Sequence, residues 1–156
     1  MRSWLDRTAA VALVSLMLVS TASAADATAK PGKSHRLLIQ VDQNDPAVMN
    51  LALNNASNVI DYYRSKGEEV AVDVVTYGPG LHMLRADTSP VQDRLRRLKE
   101  LAFPGKIQFS ACNNTKQGME KTEGKAISIL SEATVVPSGV VRLMELQEQG
   151  FSYIRP

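Results

Sequence analysis

From about residue 36 onward, short apolar runs alternate with longer stretches whose apolar residues recur every three or four positions. RLLIQV (Arg36 to Val41) is apolar without helical spacing, which predicts a buried strand. After it, Met49, Ala52, Leu53, Ala56, Val59, Ile60 and Tyr63 fall on one face of a helix. Asp45 is placed to cap that helix, and Pro46 suits its first position because the missing N–H would be unpaired there. Gly67 stands where the helix stops. The valine-rich stretch from Glu68 to Gly78 predicts a second strand, which opens into the apolar loop PGLHML. Ser89 and Pro90 start a second helix, with Val91, Leu95, Leu98 and Ala102 on its inner face and FPG at its end.

KIQFSAC (Lys106 to Cys112) reads as the third strand. Asn113, Asn114 and Thr115 are capping residues that introduce a helix through Met119, and Gly124 marks a break. ATVVP gives a fourth strand, Ser138 to Gln149 a helix, and FSYIRP a fifth strand. Strands alternating with helices this regularly predict an α/β domain with parallel pairing and helices on both faces of one sheet.

The segment before this pattern has a different grammar. Arg2 and Arg7 precede an apolar run from Thr8 to Val19, and Ala22 and Ala24 are spaced A-x-A. That order predicts a secretory signal peptide over residues 1–24, since the run is shorter than the roughly 20 apolar residues a spanning helix needs. Cleavage after Ala24 or Ala25 leaves a polar lead-in over 25–35 and one domain over 36–156, with the mature chain in the periplasm and not membrane-bound. The full chain carries a net charge of +2. Without the leader the balance is about +1, which argues against nucleic acid or an acidic membrane as a partner.

The chain has a single cysteine, Cys112, so no internal disulfide can form. In an exported protein such a residue is a reactive thiol, an intermolecular partner, or a buried structural side chain. Ligands in open α/β sheets bind beyond the carboxyl ends of the strands, and Cys112 is predicted there, where strand three turns into a helix. The partial positive charge of a helix N-terminus favours thiolate, and Lys116 would lie over the sulfur if the helix starts promptly. His82, in the loop after strand two, is near the same edge and is a candidate for proton transfer or substrate orientation. Asn44, after strand one, is placed to line a pocket. His82, Met83, Cys112 and Met119 are soft-metal ligand types, but their spacing matches no compact motif, so no metal is expected. The acceptor-type triplets at Asn55 and Asn113 are better explained by a helix interior and a strand-to-helix cap than by glycosylation. Arg94, Arg96 and Arg97 read as a solvated helix face.

VVTYGPGLHML, FSACNNT and VVPSGVVRLMELQEQGFSYIRP, in that order after LLIQV, resemble the DsrE/DsrF-like family across Arg36 to Pro156. The resemblance implies a three-layer α/β/α domain with a five-stranded, mainly parallel sheet, assembled as a homo-oligomer, a trimer or hexamer. Several cytoplasmic relatives are sulfur-relay proteins in which a cysteine accepts sulfane sulfur as a persulfide and passes it on. Cys112 matches that cysteine position, which implies a sulfurtransferase-like carrier whose partners are a small sulfur compound and an acceptor thiol protein. Asn114, Thr115 and Lys116 would stabilise the charge, with His82 contributing from the facing loop. No organic cofactor is needed, because sulfur is both the attacking and the leaving atom. Two other classes stay open: an oligomeric binding module with a structural Cys112, and a thiol redox partner that forms mixed disulfides.

Overall fold

The computed structural model describes residues 35–156. The expected signal peptide, and all of the lead-in except His35, lie outside the described residues. The elements in chain order are β1 (His35–Val41), α1 (Pro46–Ser65), β2 (Val70–Thr76), a 3-10 helix (Gly78–Leu84), α2 (Gln92–Ala102), β3 (Lys106–Cys112), α3 (Asn113–Glu123), β4 (Thr134–Val136), α4 (Gly139–Glu148) and β5 (Ser152–Ile154). His35 thus belongs to the first strand, where it pairs with Val70.

The five strands form one sheet in the order β4-β3-β2-β1-β5, and every pair is parallel. From β1 to β4 the chain steps in one direction, so right-handed crossovers bring α1, α2 and α3 to the same face. The connection from β4 to β5 runs back across the sheet and lays α4 on the opposite face. The side chains confirm this division. Leu37, Ile39, Val41, Val70, Val72, Val74, Phe109 and Ala111 pack with the inner residues of α1 and α2. Leu38 and Val75 point the other way and pack with Leu143 and Leu146 of α4.

Local chemistry explains most boundaries. Asp45 caps α1 by accepting from the Ala47 N–H at 2.7 Å, and Met49, Ala52, Leu53, Ala56 and Ile60 are buried along its inner face. The PGLHML stretch is a 3-10 helix rather than an open loop, with Leu81, Met83 and Leu84 fully buried. Gly80 makes this possible: a Cβ there would collide with the Val41 backbone, so only glycine lets the helix lie against the end of β1. The second predicted helix begins at Gln92, later than expected, because Ser89 donates to the Met83 carbonyl at 2.5 Å and closes a turn.

α3 runs past Met119 to Glu123 and ends at Gly124, whose φ of 66° is left-handed. Tertiary contacts carry the extra turn. Glu120 accepts from the Ile127 N–H at 2.9 Å, and Glu123 pairs with the buried guanidinium of Arg85. Among the described residues, no helix is long and apolar enough to cross a membrane.

Candidate functional site

Cys112 is the last residue of β3, and its side chain is on the α4 side of the sheet, alternating with Phe109 and Ala111. It is also the N-cap of α3, a role that the sequence assigns to the asparagines after it. Its Sγ accepts from the Thr115 N–H at 3.4 Å. In the sheet, Cys112 pairs with Val136 of β4, so the turn from β4 into α4 lies beside it. Ser138 caps α4, accepting from the Val141 N–H at 3.5 Å. Gly139, the first residue of α4, is packed against both Cys112 and Tyr77. A Cβ at Gly139 would stand 3.3 Å from that of Cys112 and 2.9 Å from that of Tyr77, so a larger residue would push the α4 N-terminus off the sulfur.

Two helix N-termini therefore meet at one thiol. Burial opposes its ionisation, but the polar groups around the sulfur outweigh it, the Thr115 hydroxyl first and then the N–H groups of Thr115, Gly139 and Asn114, and its pKa is lowered. The Thr115 hydroxyl oxygen accepts from the Gly78 N–H at 2.9 Å, which ties the start of α3 to the 3-10 helix. The thiol is only 4% exposed. A small hollow of about 150 Å³ opens at the turn from β4 into α4, lined by Val136, Pro137, Ser138, Val141, Arg142 and Glu145 but not by Cys112 itself.

The other candidate residues are distributed unevenly around this point. Thr115 touches the sulfur, whereas Asn114 contributes its backbone and leaves its side chain exposed. The expectation that Lys116 lies over the sulfur is not met, because its ammonium bonds Glu120 four residues on, at 2.6 Å. His82 is in the 3-10 helix and its Nδ1 is 2.9 Å from the Thr88 hydroxyl. Asn44 is exposed after β1, two strands away from β3 in the sheet.

Among the described residues no group of three His, Cys, Asp or Glu side chains is arranged to hold a metal. The soft-ligand set does not assemble: Met83 is fully buried and the Met119 sulfur is 3.7 Å from the Arg85 guanidinium, which would repel a cation.

Two parts of the site are missed by the sequence reading. Gly139 becomes relevant only once β3 and β4 are neighbours. Asp73 is a charged residue in the middle of a valine strand, and that anomaly is the signal that marks it. It is buried, accepts from the Ser110 hydroxyl at 2.7 Å, and accepts from the Arg142 guanidinium at 2.7 and 3.0 Å.

A parallel sheet with a capped cysteine at the end of its third strand defines a DsrE-like α/β domain. The model of the DsrE/DsrF-like family matches residues 36–156, and the chain belongs to that family. Among solved structures it is similar to MTH1491, a protein of unknown function from Methanobacterium thermoautotrophicum. The two share 28% identity with a TM-score of 0.65, over 78% of this chain and 99% of that one. No curated protein matches the chain.

Proposed function

We propose that this protein carries sulfane sulfur as a persulfide on Cys112. Membership of the DsrE/DsrF-like family suggests a sulfur-relay role, and one observation carries the finer reading: the Cys112 sulfur accepts from the Thr115 N–H in the first turn of α3, and Gly139, the first residue of α4, is packed against the same side chain. Such donors favour the thiolate, which is the nucleophile in thiol chemistry. The thiolate attacks the outer sulfur of a donor such as thiosulfate or a persulfide. The donor's sulfur–sulfur bond breaks, and its electron pair leaves with sulfite or a thiolate. Cys112 then holds a persulfide, and an acceptor thiolate removes the outer sulfur and regenerates the Cys112 thiolate. Each transfer is balanced without an external oxidant or reductant. The persulfide anion would lie at the same place, beside the Thr115 N–H and the N-terminus of α4.

The reading extends to the setting. The expected signal peptide would place this chemistry in the periplasm, with a small sulfur compound and an acceptor thiol protein as partners. Val140, Val141 and Met144 expose an apolar stripe on the outer side of α4, which supports assembly as a homo-oligomer.

A second reading has its own support, since a cysteine exposed by only 4% that caps a helix fits a structural role in a binding module. Incubating the purified protein and Cys112→Ser with thiosulfate, polysulfide or glutathione persulfide, then with an acceptor thiol, separates the two. The carrier takes up and releases sulfur in the wild type alone; a structural cysteine takes up none.

A further inference from the structure

β3 carries Cys112, and α4 packs its first residue, Gly139, against it. Those two elements are joined a second time, deeper in the sheet, by Asp73 of β2. One carboxylate oxygen accepts from Ser110, two residues before Cys112 on the same face of β3, at 2.7 Å. The other accepts from Nη2 and Nε of Arg142, one helical turn after Gly139, at 2.7 and 3.0 Å. Gln108 completes the chain by donating to the Ser110 hydroxyl at 2.9 Å. The apolar anchors of α4, Leu143 and Leu146, are farther along the helix. In its first turn, Val140 and Val141 face solvent, so Arg142 is the nearest long side chain that ties the Gly139 end to the sheet.

We infer that the Asp73–Arg142 pair is a positioning device for Cys112, holding the N-terminus of α4 against the sulfur. Without it, α4 keeps its apolar packing but its first turn is free to lift, and the thiol loses the helix N-terminus packed against it. The inference deepens the proposed function and rests on Cys112 being the working group. The titratable and charged groups on the surrounding elements are Tyr77 after β2, Lys116, Glu120, Lys121 and Glu123 on α3, and Arg142, Glu145 and Glu148 on α4, with Asp73 beneath; β4 contributes none.

The test is the pH profile of Cys112 alkylation by iodoacetamide in the purified protein. Arg142→Met removes the cation but leaves Asp73 buried and unpaired, so Asp73→Asn with Arg142→Met is made beside it to remove both charges. Both variants are expected to shift the midpoint upward and to slow alkylation at pH 7 by roughly three- to tenfold. Arg142→Lys, which restores a cation but not the two-pronged contact, should fall between them and the wild type. Arg94→Met is the control. It removes a guanidinium that joins α2 to Asn50 and Asn54 of α1, away from Cys112, and should leave the profile where it is.

Superimposable profiles for the wild type and the Arg142 variants would overturn the inference, as would an equal shift in the Arg94 variant. A thiol that no alkylating agent reaches in the folded wild type overturns it together with the proposed function. A wild type that takes up no sulfur, but whose profile shifts on loss of Arg142, overturns the proposed function alone.

Discussion

The face of the sheet under α1 and α2 and the face under α4 are built from the same strands, yet they carry different residues. Under α1 and α2, β3 presents Phe109 and Ala111, and β2 presents Val70, Val72 and Val74, all inside one apolar core. On the α4 side the same two strands present Gln108, Ser110 and Cys112, and Asp73 beside Val75. Strands of a parallel sheet are ordinarily apolar on both faces. Here the polar positions gather on one face, where Gln108, Ser110 and Asp73 are bonded in a chain, and the buried Thr76 on the other face donates to the Ser110 carbonyl. Among the described residues, no buried side-chain nitrogen or oxygen lacks a partner. One face supplies stability through burial, and the other holds groups in fixed geometry around a sulfur.

The largest effect should come from breaking the apolar face. Phe109→Ala empties a fully buried aromatic site and is expected to cost about 3 to 5 kcal/mol, read as a lower denaturant midpoint. Provided the variant remains folded, the Cys112 alkylation midpoint should not move, because the ring points away from the sulfur. Gly139→Ala should do the reverse. Its Cβ would stand 2.9 Å from that of Tyr77, so α4 must shift, at about 1 to 3 kcal/mol. The rate of alkylation at neutral pH should fall by roughly tenfold as the thiol pKa rises.

Two arginine–carboxylate sites sharpen the contrast through pH. Between the 3-10 helix and α3, Arg85 bonds both Asp87 and Glu123, and those bonds hold both carboxylates below their ordinary values. Depressed carboxylates contribute stability that is present above the ordinary range and lost as pH falls below about 4. Asp73 has the opposite sign. Burial raises its pKa despite the bonds from Ser110 and Arg142. The folded state therefore binds its proton more readily than the unfolded chain, and its unfavourable contribution fades on acidification. Unfolding free energy measured against pH should thus decline less steeply in acid for Arg85→Met than for the wild type, and more steeply for Asp73→Asn. The smallest effect belongs to Thr115→Val, which removes a hydroxyl that lowers the thiol pKa while leaving the Thr115 N–H in place. About 0.5 kcal/mol, the low end for one hydrogen bond, corresponds to about twofold slower alkylation.

How much of this was readable in the sequence follows from where each feature obtains its energy. The strands and α1 were legible because their apolar spacing is local, and Asp45 and Pro46 act within their own turn. The 3-10 helix was not, because it depends on Gly80 meeting the backbone of Val41, far back in the chain. The last turn of α3 likewise rests on Arg85 and Ile127. At the site, the position of Cys112 was legible from the strand-to-helix transition. Lys116 was misjudged because Glu120, one turn later on the same helix, is the nearer partner. Gly139, Asp73 and Arg142 converge on β3 only through strand order, which spacing along the chain does not reveal.

The most direct test of the central claim is the intact mass of the folded protein after exposure to thiosulfate, polysulfide and glutathione persulfide in turn. The account predicts a gain of one sulfur atom in the wild type with at least one donor, reversed by a reductant and absent from Cys112→Ser. No adduct with any of the three, together with a thiol that alkylates only after unfolding, would contradict it and leave Cys112 as a structural cap.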